Sequence, residues 1–133
     1  MVQQLETFKE PLSMKKVESK LKISSFKIHI QQITTKLNVI KMKNSILIWI
    51  GDASLPAFND LSLSIQNRYD NTILKTSILG KNDESLNLAA RLCKKLNKQV
   101  YVSLNVFNEI GMPIILAVEK MLYEIIKNNP DCF

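Results

Sequence analysis

SILIWIG, residues 45–51, sets five apolar residues in a row, three of them isoleucine, between Ser45 and Gly51. A short unbroken apolar run rich in β-branched side chains fits a strand covered on both faces, not one with a wet side. Gly51 and Asp52 end it. The stretch falls far short of the roughly 20 apolar residues that a membrane-spanning helix needs, so it reads as the central strand of a soluble core.

Upstream of this strand the apolar period is two. Phe26, Ile28 and Ile30 alternate with Lys27 and His29, and Leu37, Val39 and Lys41 share one parity after Thr34 and Thr35. These are two half-buried strands or one bent strand. Downstream, FNDLSLSIQNRYD (58–70) places Phe58, Leu61 and Ile65 at i, i+3 and i+7, which predicts a one-sided helix. NTILKTSILG (71–80) returns to strand character and stops at Gly80. Asn82 or Asp83 can then cap a helix whose apolar positions are Leu86, Ala89, Ala90, Cys93 and Leu96. QVYVSLNV (99–106) is the next strand. A last helix begins near Gly111-Met112-Pro113, where proline suits a first turn. It runs through Ile114, Ile115, Val118, Met121, Leu122, Ile125 and Ile126 to Asn128, Asn129 and Pro130. The expected fold is α/β (α+β), a mostly antiparallel or mixed sheet of about six strands packed with three helices in a single domain.

A chain of 133 residues can bury one real core and is too short for two. Its 46% hydrophobic and 23% charged residues are near globular averages, which disfavours a disordered or membrane class for the whole chain. The net charge of +6 is unevenly spread. Residues 1–43 hold nine lysines against Glu6, Glu10 and Glu18, whereas residues 44–133 hold equal numbers of each sign. The opening MVQQLETFKEPLSMKKVESKLK is polar and interrupted by Pro11, so residues 1–20 read as a disordered basic tail ahead of a domain at 21–133. An amphipathic anchor through Leu5, Phe8 and Leu12 is sparsely spaced and is the weaker reading. Cys93 and Cys132 have no CxxC spacing and follow no secretory signal, which fits a reduced intracellular protein.

Catalytic chemistry has little to build on. The sole histidine, His29, lies on the polar parity of a strand, and one imidazole makes neither a triad nor a metal site. With only Gly51, Gly80 and Gly111, there is no glycine-rich phosphate loop. Asp52, Asp60, Asp70, Asp83 and Glu84 fall at loop or helix-terminal positions, where capping is the commoner use of an acid. No metal and no cofactor is expected. Arg91, Lys94, Lys95 and Lys98 crowd the end of one helix just before Tyr101. A nucleic-acid platform there would want several exposed aromatics, and Tyr101 reads instead as core or interface. The plain account of those cations is a solvated helix end facing the negative end of the helix dipole.

Taken together, SILIWIG, NRYDNTILKTSILG and LAARLCKKLNKQVYVSLNV resemble the proteasome assembly chaperone 4 family. The likeness runs from about Ile40 to Asn105, half of the chain. It rests on a strand ending in W-hydrophobic-G, on R-Y-D closing the helix after it, on a T-S-hydrophobic-L-G strand end, and on L-A-x-R-L-x-x-K-x-N-K-Q-V-hydrophobic-V-S-x-N. The resemblance implies a small non-catalytic α/β protein. Such a protein pairs with a sister, proteasome assembly chaperone 3, and the pair binds α-type subunits while the α-ring of the 20S proteasome is built, then leaves before maturation. The expected compartment is the cytoplasm, the nucleus being the other candidate. No membrane is implied, and nucleic acid is disfavoured.

Of the matching positions, Trp49, Leu79, Val100 and Val102 have a core explanation, and Gly51 and Gly80 a backbone one. Arg68, Tyr69, Asp70, Thr76, Ser77, Arg91, Lys95, Asn97 and Lys98 are the candidate partner-binding residues. Among them Arg68, Tyr69, Arg91, Lys95 and Lys98 carry the long polar or amphipathic side chains that give orientation and on-rate at an interface. Residues 1–20 and the segment 106–113 depart from the family pattern. The rivals are a nucleic-acid-binding module using the lysine-rich N-terminal region and a small enzyme with a deep polar pocket.

Overall fold

The computed structural model describes residues 13–30, 32–106 and 114–133. The Leu5, Phe8 and Leu12 anchor and the Gly111-Met112-Pro113 helix start lie outside them. Six strands form one mixed sheet: β1 (Lys22–Ile30), β2 (Ile33–Lys41), β3 (Ser45–Asp52), β4 (Leu61–Gln66), β5 (Ile73–Leu79) and β6 (Gln99–Asn105), in the spatial order β1-β2-β3-β6-β4-β5. Two helices, α1 (Asp83–Leu96) and α2 (Ile114–Asn128), are followed by a short 3-10 turn at Pro130–Cys132. All pairings are antiparallel except β3 with β6. A parallel pair needs a crossover, and here the β4–β5 hairpin and α1 together supply it.

The expected central strand is central. Ile46, Ile48 and Ile50 of β3 sit beside Val100, Val102 and Leu104 of β6, all buried on one side of the sheet. Each such side chain contributes about 1.5–3 kcal/mol by leaving water. Leu37 and Val39 of β2 extend this layer, and Leu88, Leu92, Val118, Leu122 and Ile126 of the helices close it.

The helix expected at 58–70 is a strand. Leu61, Leu63 and Ile65 alternate with Ser62 and Ser64, and the alternation outweighs the looser helical spacing. It was masked because the serines are the fully buried parity. They fit there because α1 packs closely over them: Ser62 Oγ lies 2.7 Å from Ser85 Oγ, and Ser85 Oγ donates to Asp60 Oδ1 at 3.0 Å. Asp60 Oδ2 accepts the Leu104 backbone N–H at 3.0 Å, so this buried carboxyl ties β4, β6 and α1 together.

The same network turns α1. Leu88 and Leu92 face the sheet with Ala89 and Cys93, in place of Leu86 and Ala90. The start of the helix is as the sequence suggests, and the structure adds the cap at its end. Asn82 accepts the Glu84 N–H at 3.0 Å as N-cap, and Asn97, at φ 53°, closes the helix by donating its N–H to Cys93 O at 2.9 Å.

Two readings of single residues are corrected. Leu79 is 44% exposed, not core. Gly51 is needed for space and not for backbone freedom: a Cβ there would lie 2.5 Å from the Trp49 ring. Gly80, in contrast, does use its freedom, at φ 74°. Trp49 itself lies half-buried on the side of the sheet away from the helices, with Nε1 donating to Ala57 O at 2.9 Å. Gly51→Ala should therefore destabilise by about 1–3 kcal/mol and displace the indole. Urea unfolding followed by fluorescence reads both, Trp49 being the only tryptophan.

Candidate functional site

Helices α1 and α2 lie on one side of the sheet, and among the described residues no helix lies on the other. Residues 53–60 cover its upper part. They are held by Trp49 Nε1 on Ala57 O and by the Asn59 N–H on Asn105 Oδ1 at 2.9 Å, while Asn105 Nδ2 donates to Ser103 Oγ at 2.8 Å. The V-S-x-N pattern thus pins a loop. Ser103 and Asn105 point to the uncovered side, and both are buried by it.

Below this loop, the strand registers line up an apolar belt. Ile23 pairs with Ile40, Ile40 with Leu47, Leu47 with Tyr101, Tyr101 with Leu63, and Leu63 with Thr76. The belt crosses all six strands on the face opposite α1 and α2. Ile65 and its cross-strand partner Leu74 widen it, with Leu74 52% exposed. A cavity of about 320 Å³ opens in it between Met42, Ser45, Leu47, Phe58, Leu61 and Tyr101. The Tyr101 hydroxyl is held at the rim by Gln99 Nε2 at 2.8 Å. Contiguous apolar surface of this kind suits a contact with another molecule, and alternating inner-face side chains are what one sheet offers another when two pack face to face.

The candidate partner-binding residues divide into two groups. Arg68, Tyr69 and Asp70 form the β4–β5 turn and not, as expected, the end of a helix. Asn67 Oδ1 accepts the Tyr69 N–H at 3.1 Å, and Asp70 Oδ1 accepts from the Thr72 N–H at 3.1 Å and the Thr72 hydroxyl at 2.7 Å. Those bonds hold the Asp70 carboxyl below its usual range, the Thr72 hydroxyl counting most. Tyr69 projects fully, 96% exposed. Thr76 continues the belt, while Ser77 lies on edge strand β5 and donates to Gly80 O at 2.6 Å.

The second group belongs to the helix side. Arg91 faces α2 and forks onto Glu119, Nε to Oε1 at 2.6 Å and Nη2 to Oε2 at 2.7 Å. The Tyr123 hydroxyl donates to the same Oε1 at 2.8 Å, and Lys95 Nζ stands 5.1 Å from the Tyr123 ring centre. Burial pushes Glu119 up, but the bonds from Arg91 and Tyr123, with the Arg91 charge, outweigh it and hold the carboxyl below its ordinary value. Asn97 is the α1 cap, and Lys98 is half-buried at the start of β6. The structure does not bring the two groups into one patch. Sequence reasoning missed the belt itself apart from Thr76 and the reading of Tyr101 as core or interface; the alternation of Leu61, Leu63 and Ile65 was the signal that could have found it.

None of Arg68, Tyr69 and Arg91 lines a main cavity among the described residues. Asp52 borders two of them, and the backbone and hydroxyl of Ser54 hold its carboxyl low. His29 is exposed, with Nδ1 3.2 Å from Thr34 Oγ1. Among the described residues no helix is long and apolar enough to cross a membrane, and no three His, Cys, Asp or Glu side chains gather as metal ligands would.

Residues 34–106 match the family model of proteasome assembly chaperone 4. The chain belongs to the proteasome assembly chaperone 4 family. It is 30% identical over 113 residues to the proteasome assembly chaperone 4 of Homo sapiens, covering 84% of this chain and 89% of that one. To the Mus musculus protein of the same name it is 27% identical over 118 residues, covering 87% and 94%. Its fold resembles a chain in a crystal structure of a chaperone complex for yeast 20S proteasome assembly. The TM-score is 0.63 at 16% identity, over 81% of this chain and 96% of that one. The family match covers the belt from Ile40 through Tyr101, the R-Y-D turn and Arg91, though not its partner Glu119, and it makes this chain a chaperone of proteasome assembly.

The fork generates a test. Arg91→Ala leaves Glu119, 8% exposed, without its cation, and should cost about 1–2 kcal/mol, less than a fully buried pair because Arg91 is partly solvated. Glu119 is held low in the folded state, so its contribution is present above the unfolded carboxylate value and is lost as pH falls through the folded one. The stability gap between wild type and Glu119→Gln should therefore shrink on acidification below about pH 4.5, as chemical denaturation across pH will show.

Proposed function

We propose that this chain is one half of a chaperone pair, joined to its sister, proteasome assembly chaperone 3, through the apolar belt, and that the pair holds α-type subunits during assembly of the 20S α-ring. The role is non-catalytic, and the compartment is the cytoplasm, with the nucleus as the other candidate. One observation carries the pairing: a belt from Ile23 to Thr76 across all six strands on the side opposite α1 and α2. A monomer leaving this belt wet forgoes stabilisation of about 25 cal/mol for each Å² that a partner could cover. A sister of the same fold would present a matching open face, and two twisted sheets pack face to face about 10 Å apart. The family match supports the chaperone role, and the yeast relative in fold was crystallised as a chaperone complex. The R-Y-D turn stands clear of the belt, so Arg68 and Tyr69 stay available to a client subunit.

Co-expression with the sister chaperone, then with single α-type subunits, followed by size-exclusion chromatography with mass determination, should give a one-to-one pair that retains an α-type subunit. Ile65→Arg with Leu74→Glu places opposite charges on a cross-strand pair. The change keeps the hairpin while breaking the belt, and it should abolish pairing with no more than a small shift in melting temperature. Unimpaired pairing by that double variant would remove the belt as the interface.

A further inference from the structure

The strand registers also sort charge. One end of the sheet is reached by Lys22 of β1, its cross-strand partner Lys41 of β2, the β2–β3 turn carrying Lys43, and Lys98 just before β6. Helix α1 ends there with Lys94 and Lys95 in its last turn, and the chain after α2 comes to the same place, because Lys22 Nζ and Lys41 Nζ each donate to Asp131 O at 3.0 Å. Residues 13–21, with Lys15, Lys16 and Lys20, lead into β1 at this end and are exposed. Asp70 in the β4–β5 turn and Asp131 lie at this basic end too, but the lysines outnumber them, whereas the other end holds Asp52, Asp60, Asp83 and Glu84 with Lys81. Although residues 44–133 are neutral in sum, the fold makes them polar.

Part of this positive charge serves the fold. Two helix C-termini meet here, and cations balance their dipoles. The balance is incomplete, because among the described residues the one ion pair within 4.0 Å is Arg91 with Glu119, so none of these lysines has a carboxylate partner there. Burial first, and the Lys41 charge second, push the Lys98 amine down.

We propose that this basic end is a docking surface for an acidic segment of a protein, on the helix side of the sheet and separate from the apolar belt. The occupant is taken to be protein on the strength of the chaperone reading and of local chemistry. Both helices direct their terminal carbonyls to this end, which opposes a continuous run of phosphates, whereas spaced carboxylates can meet the lysines singly. Tyr69 is the fully exposed aromatic nearby, and stacking platforms for bases need several. Lysines at such a rim act through encounter rate and orientation, and they act more weakly at high salt.

The test uses the full chain and fluorescence anisotropy with two labelled probes of equal charge, a glutamate-rich peptide and an oligothymidylate. Lys43→Glu with Lys94→Glu changes two exposed positions of the basic end. Lys81→Glu with Lys120→Glu makes the same change in net charge elsewhere. The first pair should weaken peptide binding by about tenfold or more, the second by less than about threefold, with melting temperature and sister pairing kept in both. Lys98→Gln alone should weaken it in the same direction. Equal losses from the two double variants would reduce the effect to net charge and overturn the proposal. So would tighter binding of the oligothymidylate, which makes the surface a phosphate binder, or no peptide binding by the wild type. Sister pairing is scored separately, so a chain that binds the peptide but never pairs defeats the chaperone reading and leaves the surface standing.

Discussion

Among the described residues, both helices cover the same side of the six-stranded sheet. In this protein both lie on the side where β3 and β6 present Ile46, Ile48, Ile50, Val100, Val102 and Leu104, and that layer is dry. The consequence falls on the opposite side. Residues 53–60 fold over Trp49, Ser103 and Asn105 and protect the upper part. The rest, from Ile23 to Thr76, stays open among the described residues.

Polar contacts decide how the helices sit. Hydrophobic burial would accept α1 in several rotations, but Ser85 must reach Ser62 and Asp60, which turns Leu88 and Leu92 inward. A buried polar group without its partner costs about 1–3 kcal/mol, enough to select one rotation among several. The Arg91 fork then ties α1 to α2, with the Tyr123 hydroxyl satisfying the same carboxylate. Arg91 thereby has a full structural account, as does Asn97 in the cap, while Arg68, Tyr69, Lys43 and Lys94 remain directed to solvent.

Much of the fold was legible in the sequence. The runs that became β1, β2, β3 and β6 obey period two or are continuously apolar, and α1 and α2 carry caps or wide apolar faces. The segment that became β4 was misread because burial there went to serines: a small side chain under a close helix looks polar in sequence and is core in space. Leu61, Leu63 and Ile65 are the converse, apolar side chains left at the surface. Of the candidate docking residues, the R-Y-D turn was found by its motif, whereas the belt was not, since its members come from six separate strands.

The sequence by itself determined the element types in all but one segment, the helix start at Asn82, the lysine-rich entry to β1 and the family, because each depends on residues close together in the chain. Only the tertiary structure decided the strand order, which side of the sheet stayed open, the belt across it and the gathering of lysines at one end. Those follow from register and from which face the helices cover, and both are set by contacts between residues far apart in sequence.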